Sequence, residues 1–156
     1  MLKNESLYLR VADENDKLLL FEWSNDPEVR KNSFNTDSIS LPEHEQWLKN
    51  ALADGNTLIY ILMEKDIPVG QVRLVHGDCW QVNYSIAAGC RGKGYGKRII
   101  HMAENELIQA GHAKERLYAE VRPDNVASQR IFLGLGYRQM ACDKDAYAYE
   151  KVIGSS

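Results

Sequence analysis

Between residues 89 and 96 the chain reads Gly-Cys-Arg-Gly-Lys-Gly-Tyr-Gly, four glycines in eight positions. On the upstream side, Trp80, Val82, Tyr84 and Ile86 alternate with Gln81, Asn83 and Ser85, which predicts a strand over 80–87. On the downstream side, Ile99, Ile100, Ala103, Leu107 and Ala110 recur at helical spacing from about Gly94, and Gly111 is a natural stop. The fold must therefore contain a strand, a tight glycine turn and a helix in direct succession. Glycine lets the backbone turn sharply and approach a ligand closely. A helix N-terminus presents free N–H groups and the positive end of its dipole. Arg91, Lys93 and Lys97 add full charges. Together these make a nest for a phosphate or pyrophosphate.

The basic charge is local. Arg91, Lys93, Lys97 and Arg98 fall together, yet the whole chain carries a net charge of −3. That balance argues against a dedicated nucleic-acid binder. The length of 156 residues suits one domain with its own core, residues 1–156, and no repeat or Pro/Gly/Ser-rich linker divides it. Cys79, Cys90 and Cys142 are odd in number and lack Cys-x-x-Cys spacing. They predict free thiols, no zinc site and a cytoplasmic setting. Residues 1–10 are too polar for a signal peptide, and the longest apolar run, Leu58 to Met63, is too short to span a bilayer. No His pair at i, i+4 suggests a metal.

Ser6 to Ala12 reads as a first strand, and Asp13 as the cap of a helix through Leu18 to Trp23. Asn25-Asp26-Pro27 breaks that helix, and 30–40 reads as a polar stretch. A helix follows from Pro42, with Trp47, Leu48, Ala51 and Leu52 on its apolar face, and ends at Asp54-Gly55-Asn56. Thr57 to Glu64 is nearly all apolar, as in a strand buried on both faces. Strands over 69–75 and 80–87 come next, then the helix after the glycines. Arg116 to Arg122 places Leu117, Ala119 and Val121 on one strand face and Tyr118 and Glu120 on the other. A short helix over 125–135 and strands near 137–143 and 146–152 complete a mixed α/β sheet.

Three coenzyme readings compete for the glycine segment. A nucleotide-hydrolase P-loop has Gly-x-x-x-x-Gly-Lys-Ser/Thr; Gly89 and Gly94 have the spacing, but Tyr95 stands in the lysine position. A dinucleotide fold has Gly-x-Gly-x-x-Gly at its first strand, whereas here the glycines follow four predicted strands. The third reading is coenzyme A. Arg91, Gly94 and Gly96 resemble the Gln/Arg-x-x-Gly-x-Gly/Ala pyrophosphate loop of the GNAT acetyltransferase superfamily. Asn125, Ser128, Ile131-Phe132 and Gly136-Tyr137 resemble its second signature, Asn-x-x-Ala/Ser-x-x-Leu-Tyr-x-x-x-Gly-Phe. The resemblance covers nearly the whole chain. A glycine turn without a ligand is the plain alternative, and two motifs at the right separation weigh against it.

The resemblance implies an α/β fold with a central, mostly antiparallel sheet whose fourth and fifth strands splay apart, flanked by about four helices. It implies acetyl-CoA as co-substrate and no metal. The backbone of Ser85, Ile86 and Ala87 would then pair with the pantetheine amides, and the segment Gly92, Lys93, Gly94, Tyr95, Gly96, Lys97 would hold the pyrophosphate together with Arg91. Asn125 and Ser128 would face the pantetheine. A backbone N–H near Ile86 would stabilise charge on the thioester oxygen. The family's usual tyrosine donor to the departing thiolate is Phe132 here, which has no hydroxyl. Tyr137, Tyr84 or a water would take that part, or the thiolate would leave unaided, as an ordinary thiol pKa near ~8.5 permits. Glu120 is the candidate base, its alternative being a solvated carboxylate paired with Arg116 or Arg122.

For the acceptor, Trp23-Ser-Asn25-Asp26-Pro27-Glu-Val29-Arg30 and Ser40-Leu-Pro42-Glu-His44 resemble the nucleotide-sugar N-acetyltransferases of the pseudaminic-acid pathway, with Ser24 replacing an arginine. Ribosomal-protein N-terminal-alanine acetyltransferases share part of the pattern. The resemblance implies a small-molecule amine, a UDP-linked amino sugar, with a protein N-terminus and a catalytically weak coenzyme-binding module as alternatives. Arg30 and His44 would contact a phosphate. Trp23, Phe34 or Trp47 would stack on a base, although Trp23 and Trp47 also sit at helical core spacing. Asn25 and Tyr84 complete the expected acceptor site. A homodimer through the C-terminal strands is implied by family likeness, and no nucleic-acid or membrane partner is expected.

Overall fold

The computed structural model describes residues 6–142 and 144–154. The expected strand position 143, the side chain of Cys142 and residues 1–5 lie outside what it describes. Seven strands form one sheet: β1 (Leu7–Val11), β2 (Thr57–Glu64), β3 (Ile67–His76), β4 (Trp80–Ile86), β5 (Arg116–Val121), β6 (Arg138–Cys142) and β7 (Tyr147–Val152), in the order β1-β2-β3-β4-β5-β7-β6. Every neighbouring pair is antiparallel except β4 with β5. Among the described residues five α-helices accompany it: α1 (Lys17–Ser24), α2 (Pro27–Lys31), α3 (Leu41–Ala53), α4 (Tyr95–Leu107) and α5 (Val126–Gly134).

Strand alternation assigns each face its cover. Leu62, Val72, Leu74, Val82, Leu117 and Ala119 are buried together with Ile99, Ile100, Ala103 and Leu107 of α4 and Phe132 of α5. Ile59, Ile61 and Met63 point the other way and are buried with Leu20 and Trp23 of α1 and Leu48 of α3. β2 is thus buried on both faces, as its apolar run requires. The second face is covered only over β1 to β3. Arg73 of β3 lies at the rim of that cover, against Trp47 of α3, and beyond it Asn83 and Glu120 are exposed on the same face.

α2 departs from the expectation of about four helices and of a polar stretch after a helix break. Pro27 does end α1, but it also occupies the first turn of a new helix, where its missing N–H costs nothing. Asp26 caps that helix, accepting from the N–H groups of Glu28 and Val29. Asp13 caps a short 3-10 turn leading into α1, as a reciprocal capping box with Asp16. Past Leu107 the helix loosens into a π turn, and Gly111 ends it at φ 96°. Cys79 and Cys90 are free thiols. Among the described residues no helix is long and apolar enough to cross a membrane, and no group of three or more His, Cys, Asp or Glu side chains is placed to hold a metal.

Candidate functional site

β4 and β5 pair only at Trp80–Leu117 and Gln81–Tyr118, although β4 runs to Ile86 and β5 to Val121. The strands therefore splay toward their C-terminal ends, and the gap opens into a cleft of about 950 Å³, a size that suits a small-molecule site. Antiparallel alternation decides which backbone groups face it. The Ala87 N–H donates to Val69 O on the β3 side, so Ala87 does not turn its N–H to the gap. The groups of Ser85 lie on the same side as those of Ala87, and those of Tyr84 and Ile86 point toward β5. Of the three residues expected to meet the pantetheine, Ile86 has its N–H so directed. Gly70 supports this strand end: a Cβ there would stand 2.8 Å from Ser85 O.

The glycine turn follows, with Gly92 at φ 78° and Gly94 at φ 86°. A Cβ on Gly89, Gly92 or Gly94 would meet nothing within 4 Å, so the turn is open to an approaching group. Gly94 is the N-cap of α4 and supplies no side-chain acceptor. By contrast, α2, α3 and α5 are capped by Asp26, Ser40 and Asn125. The first amides of α4, from Tyr95, Gly96 and Lys97, are thus left for an external acceptor. Gly96 itself is buried, and a Cβ on it would press on Ile131 Cδ1 at 2.7 Å. Lys97 is exposed on the cleft wall, while Lys93 is exposed and does not line it. These features fit a diphosphate.

Arg91 behaves differently from the other cations. Its Nη2 donates to Asp26 Oδ1 at 2.7 Å. Burial works against the Asp26 charge, but the bond and charge of Arg91 and the amides of α2 outweigh it and hold the carboxyl below its ordinary range. This ion pair ties the glycine turn to α2 across the mouth of the cleft.

Asn125 caps α5 by accepting from the Ser128 N–H at 3.3 Å. Ser128 is buried, and its Oγ lies 2.6 Å from the Tyr84 hydroxyl inside the cleft. Burial raises the Tyr84 pKa, partly offset by the bond to Ser128, so the phenol stays protonated. Phe132 is buried edge-on to Tyr84 and Tyr137 and stacked on Tyr149. Tyr137, expected to take the missing tyrosine's part, is not brought to the cleft. It is 3 % exposed, and its hydroxyl donates to Glu104 Oε2 at 2.7 Å. Burial and the Glu104 charge push its pKa far up. Lys151 donates to the other oxygen of Glu104 at 2.8 Å, completing a buried polar network that sequence reasoning missed.

At the other end of the cleft, the expected acceptor residues divide. Trp23 borders the cleft but is packed in the second core, with 9 % of its surface exposed. His44 is 2 % exposed between Phe21 and Trp47. Its Nε2 lies 3.1 Å from Lys17 O, so this nitrogen carries the hydrogen, and burial lowers the ring's pKa. Asn25 grips the backbone of Ile39 through both N–H and C=O. Arg30 spends its donors on Ser24 O, Asn35 O, Asp37 O and Ser33 Oγ, and so organises the 32–40 loop. Phe34 is exposed on the wall of the cleft. Glu120 is exposed on that wall with no partner among the described residues; Arg116 pairs with Glu150, and Arg122 donates to Ser33 O at 3.2 Å and lies 3.8 Å from Asp124. Arg73, which sequence reasoning passed over, also opens onto the cleft, its guanidinium 5.1 Å from the centre of the Trp47 ring. The signal for it was the polar set Gln71, Arg73, Asn83, Ser85 and Glu120, one face of three strands once their register is known.

Residues 6–138 match the family described as the acetyltransferase (GNAT) domain. A stretch of 57 residues is 40% identical to an L-2,4-diaminobutyric acid acetyltransferase of Wolinella succinogenes; it makes up 36% of this chain and 32% of that protein, so the match spans about a third of the relative's length. Among solved structures, a spermidine N-acetyltransferase from Vibrio cholerae, in complex with CoA and spermine, superposes with a TM-score of 0.85 at 16% identity, covering 96% of this chain and 97% of that one. An acetyltransferase from Salmonella typhimurium that modifies the N-terminal serine of ribosomal protein L7/L12 gives 0.81 at 15% identity, covering 96% of each. These identities speak for the fold. With the family match spanning most of the sequence, and with a glycine turn, an uncapped helix start and a parted strand pair in one cleft, this chain belongs to the GNAT acetyltransferase domain family.

Proposed function

We propose that the protein transfers the acetyl group of acetyl-CoA to the primary amine of a small molecule. The observation that carries this reading is the start of α4: open glycines, amides without a side-chain cap and Lys97, beside the gap between β4 and β5. A diphosphate caps the helix, as its dipole and free N–H groups favour. The Ile86 N–H faces the charge that grows on the thioester oxygen. Glu120 takes the proton of the attacking ammonium. As the C–N bond forms and the C–S bond breaks, the thiolate takes a proton from Tyr84, which replaces the hydroxyl that Phe132 lacks. That hydroxyl in the cleft favours an enzyme over a coenzyme-binding module.

The acceptor read from the sequence is a UDP-linked amino sugar. Exposed Phe34 and Trp47 supply aromatic surface for a base at the acceptor end. The same reading includes a cytoplasmic setting and a homodimer through the C-terminal strands, where β6 forms an edge of the sheet. The test is calorimetric titration with acetyl-CoA, followed by thiol release on adding amines. Saturable binding and amine-dependent release are expected; absence of binding refutes the assignment. A rise in melting temperature with UDP separates the nucleotide sugar from a peptide N-terminus, which needs no UDP site.

A further inference from the structure

Arg73 lies in mid-strand on the open face of the sheet, opposite Asn83 in the β3–β4 register. Continuing the β4–β5 register from Gln81–Tyr118 places Glu120 in the same row as Asn83. The two charges are therefore separated by two strand spacings, about 10 Å, or somewhat more where β4 and β5 part. No carboxylate pairs with Arg73 among the described residues, and its guanidinium lies over the Trp47 ring. Stacking on an aromatic face leaves the in-plane N–H donors of a guanidinium free for another partner. The carboxylates nearby are engaged or distant. Glu43 accepts from the hydroxyl of Ser40, and Glu28 from Asn32 with Lys31 4.0 Å away. Partial burial disfavours the charged form of Arg73 and lowers its pKa, so the cation is held in the cleft without a counter-charge of its own. A purely cationic acceptor would meet repulsion there.

We propose that the acceptor carries an anionic group, carboxylate or phosphate, which Arg73 grips while Glu120 receives the amine at the other end of the row. This rests on the acetyl-transfer reading and narrows its substrate class to amines that also bear a negative charge. Trp47 acts as a positioning residue, its ring lying under the guanidinium.

Two matched pairs of acceptors test it: lysine against its decarboxylated counterpart cadaverine, and glucosamine against its phosphate ester. In at least one pair the anionic member should have a KM lower by about 10- to 100-fold, the worth of a charged hydrogen-bonded contact. Which pair shows it separates carboxylate from phosphate. Arg73→Gln should abolish the preference by raising that KM with little change in kcat, and Arg73→Lys should restore part of it. Arg138→Gln, a charge removed at the far edge of the sheet, should do nothing. The same compounds should raise the melting temperature of the wild type but not of Arg73→Gln, whether or not they turn over. Equal or better use of the uncharged and cationic members overturns the proposal while leaving acetyl transfer standing. Loss of acetyl-CoA binding in the wild type would sink both.

Discussion

The two ends of the cleft are built on different principles. The coenzyme end is made of backbone: Gly92 and Gly94 at positive φ, a helix whose first amides have no side-chain cap, and a strand edge left unpaired where β4 and β5 part. The acceptor end is made of side chains. Arg30 and Asn25 knit the 32–40 loop, Arg73 lies against Trp47, and Glu120 has no partner among the described residues. A backbone site recognises what every coenzyme molecule shares, its diphosphate and amides. A side-chain site changes with each substitution, so on the proposed reading specificity would reside at the acceptor end. The Arg91–Asp26 pair is the one ion pair described between the glycine turn and α2.

This contrast can be broken or sharpened by substitution. The largest effect is expected at Glu120. Glu120→Gln should lower kcat by about 10²- to 10⁴-fold, the usual range for a lost general base, with acetyl-CoA affinity unchanged. An unaltered pH–rate profile would remove Glu120 from the chemistry. Next, Gly94→Val places a β-branched residue at positive φ, a strain of about 1–3 kcal/mol. Calorimetry should show acetyl-CoA binding weakened by up to about 100-fold, while the acceptor KM moves little; equal damage to both ends would mean they are not separate. Tyr84→Phe should reduce kcat by about 10-fold or less, because a thiolate is a tolerable leaving group without an acid. An undiminished rate would assign the thiolate's proton to water.

The smallest effect tests the link between the ends. Asp26 has a depressed folded-state pKa, so its contribution to stability is present above the ordinary aspartate range and is lost as pH falls through the folded value. Acid melting curves of the wild type should therefore fall more steeply below about pH 4 than those of Asp26→Asn. At neutral pH the substitution should cost about 1 kcal/mol or less, since the pair is partly solvated. A larger loss, or a change in both Michaelis constants, would show that the pair couples coenzyme and acceptor binding.

Much of the coenzyme end was legible in the sequence because its signals are local. Glycines between an alternating strand and a 3.6-periodic helix, with cations around them, have few conformations open to them. The stop at Gly111 and the doubly buried β2 were readable for the same reason, whereas the cap at Asn125 was seen only in the structure. Pro27 misled because proline breaks one helix and begins the next by the same missing N–H, and the cap at Asp26 decides which. Tyr137 misled because its partner Glu104 lies 33 residues away on α4. Arg30 resembled a free phosphate ligand because its backbone acceptors belong to a loop whose path no periodicity foretells.

By itself, the sequence determined the order of the elements, the glycine turn and the helix start that follows it, since each depends on torsional preference and spacing within a few residues. Only the tertiary structure decided that Arg91 meets Asp26, that Tyr84 rather than Tyr137 reaches the cleft, and that Arg73 and Glu120 line the same cleft. Those facts depend on strand register and on the parting of β4 from β5, which arise from long-range pairing and leave no periodic trace along the chain.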